Sequence, residues 1–212
     1  MISITLAIVI ITSIVSVTAF SNQKVTEDLI FYPPAIKNRN QWYRFLSCAL
    51  IHGDVAHLAF NMLSFYGFGQ MVEQYFSFIF HGAGGILYVA LYLLSQVLCL
   101  VPTYFKNQDN YSYRSLGASG AVSAVIFVGI FLNPLSKIGF FFIPIGIPGF
   151  IFGILFLIIS VYLDRRGHGN INHSAHFWGA LAGIILFIIF SYSFHFDAIG
   201  NFVYQIRSYV GV

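Results

Sequence analysis

Charged residues are scarce in this sequence: its 212 residues include ten Lys or Arg and seven Asp or Glu, which is 8% of the chain. A soluble domain carries about 25% charged residues, so these few charges cannot cover a globule of this size. The composition excludes an ordinary soluble enzyme, a disordered chain and a nucleic-acid-binding protein that relies on a basic face. The formal net charge of +3 indicates no acidic partner.

Cysteine pairs and acidic motifs are also missing. Cys48 and Cys99 form no CxxC pair, so the chain has no disulfide framework, and no HExxH motif for zinc occurs. An aspartyl protease of the presenilin type needs two aspartates inside the membrane. The aspartates that come nearest to apolar runs lie at the ends of those runs or between them: Asp54, Asp109, Asp164 and Asp197. Both protease classes are therefore disfavoured.

Apolar residues make up 58% of the chain and are concentrated in long uncharged runs. A membrane-spanning helix needs about 20 such residues, because it must satisfy its own backbone hydrogen bonds across the hydrocarbon. We therefore predict an all-α, multi-pass membrane protein that forms one domain over residues 1–212. The six predicted spans cover residues 1–20, 55–72, 79–102, 117–132, about 150–163 and 175–196, with a loop at 139–149. The first run lacks a positive n-region and a cleavage site, which predicts a retained helix instead of a signal peptide.

Two segments between these runs carry further predictions. Residues 21–54 are too apolar for an ordinary soluble loop, so we expect them to lie partly in the membrane interface, the alternative being a small extramembrane cap. Glu73 is interpreted as the residue that ends the second span.

Polar side chains are costly inside a membrane, so those within the spans are candidates for function. His57 and Asn61 begin the second span, Ser119 the fourth, and His173 and His176 the sixth. Because even-numbered spans run in the same direction, their N-terminal ends lie at the same face of the bilayer. We therefore expect these five residues to lie at one shallow depth.

The residue types at this face fit acyl-transfer chemistry. A serine hydroxyl needs a neighbouring base, and neutral imidazole suits that role at neutral pH. His57 and Asn61 are four residues apart on one helical face and both donate hydrogen bonds, as stabilisation of an oxyanion requires. Small residues on the fourth and sixth spans predict a close backbone approach that brings Ser119 to His176. These small residues are Gly117, Ala118, Gly120, Ala121 and Ala124 on the fourth span, and Ala175, Gly179, Ala180 and Gly183 on the sixth.

These motifs resemble the signatures of the rhomboid intramembrane serine proteases. In chain order they are HxxxN at 57–61, GASG at 117–120 and AHxxGxxxG at 175–183, and this is also their order in that family. Trp42-Tyr43-Arg44 resembles the family's Trp-Arg loop motif with one residue inserted, and His52 falls where the family often has histidine. The motif-bearing core covers about residues 41–196, and six spans match a six-transmembrane-helix rhomboid-like bundle.

The resemblance implies a role for each matching residue. Ser119 is then the nucleophile and His176 the base of a dyad without a carboxylate, while His57, Asn61 and the Ser119 N–H, with Gly117 beside them, form the oxyanion and substrate site. The implied activity is endopeptidase cleavage of transmembrane protein substrates near the membrane surface, with access gated around the second and fifth spans. No cofactor or metal is implied, and the partners are the lipid bilayer and those substrates, not nucleic acid.

One position departs from the family pattern. Ser123 stands where many relatives carry an aromatic residue that stacks on the catalytic imidazole. Either another side chain packs the His176 ring or the dyad is held less tightly.

Three alternatives remain open beside the protease. A rhomboid-like pseudoprotease would bind or escort membrane proteins, although such proteins typically lack the serine or histidine that this chain retains. The histidines near the active face, His52, His57, His168, His173 and His176, are also candidate zinc ligands. A small-solute transporter fits poorly with the lack of a repeat and of intramembrane carboxylates.

Two rules disagree about orientation. The family topology puts both termini in the cytoplasm and the active face outside, which leaves two Lys or Arg residues inside and eight outside. The positive-inside rule predicts the reverse. We favour the family topology, in the cell membrane of a bacterium.

Overall fold

The computed structural model describes residues 2–140, 143–166 and 172–211 as a mostly helical protein. Short helices lie between the long ones, and one two-stranded hairpin interrupts the helical order. The elements, in chain order, are α1 (Ile4–Ser21), α2 (Gln23–Leu29), α3 (Pro33–Arg39), α4 (Arg44–Ser47), α5 (Val55–Phe80), α6 (Gly84–Asn107), α7 (Ser119–Leu132), β1 (Lys137–Phe140), β2 (Ile143–Pro148), α8 (Gly149–Arg166), α9 (His173–Ser193) and α10 (Ala198–Val210).

The long helices follow the predicted spans in order. Among the described residues, three helical segments are long and apolar enough to cross a membrane: Ile4–Ser21, Val55–Asn107 and His173–Ser193. The middle segment contains α5 and α6, which are joined by a 3-10 turn at His81–Ala83. Helices α7 and α8 are apolar but shorter. A membrane protein follows from these helices, while the number of six crossings stays a prediction.

The sequence indicates that Glu73 ends the second span. This prediction is wrong. Helix α5 continues for seven residues beyond it to Phe80. The Glu73 carboxylate accepts hydrogen bonds from the backbone N–H groups of Ile4 and Thr5, each at 2.8 Å, and from the Thr5 hydroxyl at 2.7 Å. The first N–H groups of a helix have no intrahelical acceptor, and a carboxylate near them is stabilised by the helix dipole. The charge therefore anchors the start of α1 to the middle of the bundle.

The predicted loop at 139–149 is also wrong in part. Strands β1 and β2 pair in antiparallel register, with Lys137 opposite Pro148 and Ile138 opposite Ile147. Isoleucine at 143, 145 and 147 has the two-residue period of a strand, a signal that the Phe, Pro and Gly content obscured.

The segment between α1 and α5 is folded around a buried arginine. Arg44 is 6% exposed, and its Nη1 donates to the carbonyl oxygens of Glu27 and Ile30 at 2.8 and 2.7 Å. Its Nε donates to Gln41 Oε1. Arg44 thus satisfies carbonyl groups at the C-terminal end of α2 and fixes the course of the chain. Trp42 beside it is 55% exposed, as expected for a residue at a membrane interface.

Helix α7 lies at the centre of the bundle, packed against α5, α6, α8 and α9. Its contact with α9 is made by backbone atoms. A Cβ added at Gly179 would collide with the carbonyl oxygen of Gly120, and one added at Gly183 would lie 2.7 Å from the Cα of Ala124. These two contacts confirm the predicted close approach of small residues.

Gly179→Ala is expected to lower the free energy of unfolding by about 1–3 kcal/mol or more, because neither helix backbone can move aside for the new methyl group. The measurement is the thermal unfolding midpoint in detergent. Gly67→Ala is the matched control, since a Cβ at this helical glycine of α5 meets nothing within 4 Å. Equal midpoints for the two variants would contradict the close contact.

Candidate active site

The sequence-predicted residues come together at one end of the bundle. Ser119 is the first residue of α7, His176 lies in the first turn of α9, and His57 lies in the first turn of α5. Gly120, next to Ser119, contacts Gly179, three residues beyond His176. The predicted approach of the N-terminal ends of α7 and α9 is therefore seen in their packing, while the roles of the site residues stay a prediction.

The backbone before Ser119 has a conformation that requires glycine. Gly117 has a φ angle of +111°. A Cβ at this position would lie 3.0 Å from Cε1 and 3.1 Å from Nε2 of His57. The His57 imidazole therefore lies directly against the turn that leads into Ser119.

The ring orientation of His57 follows from its neighbours. Its backbone N–H donates to the Asp54 carboxylate, which caps α5 at 2.7 Å, and its Nδ1 accepts a long hydrogen bond from the Gly53 N–H at 3.5 Å. An imidazole that accepts at Nδ1 carries its proton at Nε2, and this nitrogen faces Gly117. His57 thus presents a donor toward the start of α7.

Asn61 is placed differently from His57. It is buried, and its Nδ2 donates to the His57 carbonyl oxygen within the same helix at 3.0 Å. One of its two amide protons is therefore already bonded to the α5 backbone. The other proton is available to an acceptor in the site.

The His176 ring is held by packing. Within the described residues its Nε2 is buried without a hydrogen-bond partner. The ring of Phe156, from α8, stacks on it with centroids 5.8 Å apart, and His173 lies edge-on at 5.5 Å. Phe156 takes the place of the aromatic residue that the family pattern puts at Ser123, so another side chain does pack the imidazole. Phe156 had no signal in the sequence, because any apolar residue of α8 was an equal candidate.

Two side-chain caps fix the start of α9, which carries His176. Asn172 Oδ1 accepts from the Ala175 N–H at 3.0 Å, and its Nδ2 donates to Thr103 of α6 at 3.2 Å. Asp164 Oδ1, near the end of α8, accepts from the Ser174 N–H at 3.0 Å. These bonds connect the start of α9 to α6 and α8 close to the site.

His52 supports the same turn from the other side. It is 3% exposed, and its Nε2 accepts from the Ala118 N–H at 3.4 Å, while the Gly117 N–H donates to the Cys48 carbonyl at 2.9 Å. Burial, with a smaller effect of the nearby His57, lowers the pKa of His52 to about 3. His52 is therefore neutral at physiological pH.

The histidines do not form a metal site in the part of the chain that is described. No group of three or more His, Cys, Asp or Glu side chains is arranged there to hold an ion. His52 and His57 are neighbours, with ring centroids 5.0 Å apart, and each makes the backbone contacts given above. His168 lies outside the described residues.

A family model described as "Rhomboid domain" matches residues 39–193. The chain belongs to the rhomboid family. It is 31% identical over 153 residues to "RHOMBOID-like protein 12, mitochondrial" of Arabidopsis thaliana, which covers 68% of this chain and 45% of that protein. It is 28% identical over 149 residues to "Rhomboid protease GluP" of Bacillus subtilis, covering 68% of this chain and 25% of that protein. With "Rhomboid protease GlpG" of Haemophilus influenzae, identity is 25% over 157 residues and coverage is 74% of each chain.

The rhomboid chain described here spans less than half of the length of the first two of these relatives. The family consists generally of intramembrane serine proteases, and GluP and GlpG are named as proteases. The hydrolase class and the membrane setting therefore apply at the level of the family.

Gly117→Ala is expected to lower the unfolding midpoint in detergent. The positive φ costs an L-residue about 1–3 kcal/mol, and the methyl group also presses on His57. Gly53→Ala is the control, since its Cβ would make only ordinary contacts of 3.8 and 3.9 Å, one of them with the same His57 ring. A Gly117→Ala protein as stable as Gly53→Ala would contradict the assigned backbone conformation.

Proposed function

We propose that this rhomboid is an intramembrane serine endopeptidase that cleaves transmembrane protein substrates near the membrane surface. One observation carries the proposal: a buried imidazole nitrogen of His176, which accepts no hydrogen bond from Ser119 or any other described residue, lies at the helix ends that also hold Ser119. A buried nitrogen without a partner is unfavourable and calls for an explanation, and a role as proton acceptor for Ser119 supplies one. The family membership and the proteases among the relatives support the same reaction class.

The proposed reaction is acyl transfer through Ser119. Ser119 Oγ attacks the carbonyl carbon of the scissile peptide while its proton passes to His176 Nε2. The C–N bond then breaks as His176 returns that proton to the leaving amine, and an acyl-enzyme on Ser119 remains. A water molecule, deprotonated by His176, hydrolyses the ester and regenerates the Ser119 hydroxyl. Neither step requires a metal or a cofactor.

The negative charge that develops on the carbonyl oxygen needs donors close to Ser119. The first N–H groups of α7 lack intrahelical acceptors, and the helix dipole favours an anion at this end. His57 Nε2 faces Gly117 beside them. The second amide proton of Asn61 is a further candidate. These groups constitute the proposed oxyanion site.

The membrane arrangement belongs to the same proposal. Six crossings by α1, α5, α6, α7, α8 and α9 would place the site at one shallow depth, as the parity of the helices predicts. The exposed face of α8 includes Ile151, Ile154, Leu155, Ile158 and Ile159, which suits contact with lipid and with an apolar substrate helix. Orientation and a bacterial cell membrane stay predictions.

Ser119→Ala and His176→Ala are each expected to abolish cleavage of a transmembrane reporter in proteoliposomes and labelling by a fluorophosphonate probe. Groups that act as a unit lose function together, so the double variant should be no worse than either single one. Ser123→Ala is the matched control, because it removes a buried hydroxyl from the same helix one turn later. Cleavage of the reporter by a pure Ser119→Ala protein would contradict the proposal. A wild-type protein that binds the substrate without cleaving it would indicate a pseudoprotease.

The oxyanion assignment is tested by His57→Ala and Asn61→Ala. Loss of one oxyanion donor costs about 10²–10³ in kcat, roughly 2.7–4 kcal/mol, because the other donors persist. His57→Ala should show this loss with little change in KM or in the unfolding midpoint. Asn61→Ala should lose less in kcat and more in stability, since half of its donor capacity serves the α5 backbone. Ser64→Ala, one turn further along α5, is the control. A His57→Ala protein with wild-type kcat and reduced stability would contradict the oxyanion assignment.

A further inference from the structure

A chain of hydrogen bonds connects α1 to the turn before Ser119. Ser16 of α1 is fully buried, and its Oγ lies 2.8 Å from the Leu50 carbonyl oxygen and 2.9 Å from Nδ1 of His52. The other ring nitrogen of His52 lies 3.4 Å from the Ala118 N–H. Ser16 thus contacts the histidine that contacts the backbone next to Ser119.

The directions of these bonds are determined by the groups involved. A carbonyl oxygen only accepts, so the single Ser16 hydroxyl proton goes to Leu50. The Ser16 oxygen then accepts from His52, which places the imidazole proton on Nδ1. His52 Nε2 is left with a lone pair, and the Ala118 N–H facing it only donates. In the opposite tautomer, the Nε2–H of His52 and the N–H of Ala118 would be two donors that face each other without an acceptor.

The Ala118 bond fixes the residue that caps α7. Together with the bond from the Gly117 N–H to Cys48, it holds two successive peptide N–H groups immediately before Ser119. Both acceptors belong to residues 48–52, so the direction of the Ser119 N–H depends on this segment. A misplacement of about 1 Å at a reacting group can reduce a rate 10²-fold.

We propose that Ser16 and His52 are positioning residues for Ser119. Ser16 selects the His52 tautomer that accepts a hydrogen bond from the Ala118 N–H, and this bond orients the first residues of α7. The inference rests on the proposed function. Ser16 lies outside the residues 39–193 that match the family model, so α1 would contribute to the site although it is not part of that match.

The test compares two variants that each remove one buried hydroxyl from α1. Ser16→Ala is expected to lower kcat and the rate of fluorophosphonate labelling by about 10- to 100-fold with KM nearly unchanged. Thr12→Val is the matched control: Thr12 is 1% exposed, lies one turn earlier, and its Oγ1 has no partner within the described residues. It should behave as wild type. Equal kcat for Ser16→Ala and wild type, or an equal loss in both variants, would overturn the proposal.

Conservative variants of His52 separate positioning from mere stability. Glutamine places an amide oxygen near the position of Nε2 and can accept from Ala118 without Ser16, whereas asparagine reaches only toward Ser16. His52→Gln should therefore retain most of kcat and His52→Asn should lose it. In the His52→Gln background, adding Ser16→Ala should cause no further loss, a coupling that a double-mutant cycle measures. Additive losses, or the reverse order of Gln and Asn, would contradict the relay.

A readout without catalysis distinguishes failure of this inference from failure of the proposed function. The ¹⁵N chemical shifts of histidine-labelled protein report the tautomer, and the His52 signals are assigned by their loss in His52→Gln. We expect a neutral ring protonated at Nδ1 in wild type and in Ser119→Ala, and a changed tautomer in Ser16→Ala. A wild-type ring protonated at Nε2 refutes the relay even if the protein cleaves substrates. A ring protonated at Nδ1 in a protein that proves inactive supports the relay as a structural device while the proposed function fails.

Discussion

The direct contact between the backbones of α7 and α9 is the constraint on which the site depends. Because Gly179 lies against the Gly120 carbonyl, the two helix axes are as close as peptide groups allow. At that separation, a short serine side chain and an imidazole from the facing helix can come within reach of each other, although His176 Nε2 accepts no hydrogen bond from the described residues. A larger residue at Gly179 would collide with the α7 backbone and move Ser119 and His176 apart, whereas one at Gly120 would first meet Cys99 of α6. Van der Waals packing of small residues is also what joins helices in a membrane, where burial of apolar surface gives little gain.

Three charged side chains among the described residues bind backbone groups at the ends of other helices. Glu73 binds the first N–H groups of α1, Arg44 binds carbonyls at the end of α2, and Asp164 binds an N–H at the start of α9. An unpaired peptide group is expensive without water around it, so each such bond stabilises the chain where a helix begins or ends. These three charges therefore contribute to how the helices are joined.

The sequence predicted the helices and the convergence of the site well, because both depend on properties that single residues carry. Apolar runs set where helices lie, and polar residues inside them mark positions that need a structural or chemical reason. Ser119, His176 and His57 are singled out in this way, and the structure has them at the N-terminal ends of α7, α9 and α5. Glu73 was misjudged, since its partner is 69 residues away and a local pattern cannot show that the charge is already satisfied.

The same limit explains the residues that the sequence did not reveal. Phe156 reaches His176 only through the packing of α8 on α9. Ser16 did carry a signal, because Thr5, Thr12 and Ser16 lie on one face of α1 and are buried. Small polar residues repeating along one face of an apolar helix indicate contact with other helices. The pattern indicates packing only, because each hydroxyl is weakly polar and none is catalytic by type.

The two halves of the proposed dyad are fixed by different kinds of interaction, and the difference suits their roles. Hydrogen bonds from Gly117 and Ala118 to residues 48–52 hold the start of α7, and hydrogen bonds are directional. Direction matters there, because the Ser119 N–H must point at the oxygen that becomes charged. The His176 ring is held at its face by Phe156, and its Nε2 has no hydrogen bond among the described residues. Stacking limits tilt while leaving rotation in the ring plane open, and a base that takes a proton from one atom and delivers it to another needs that rotation.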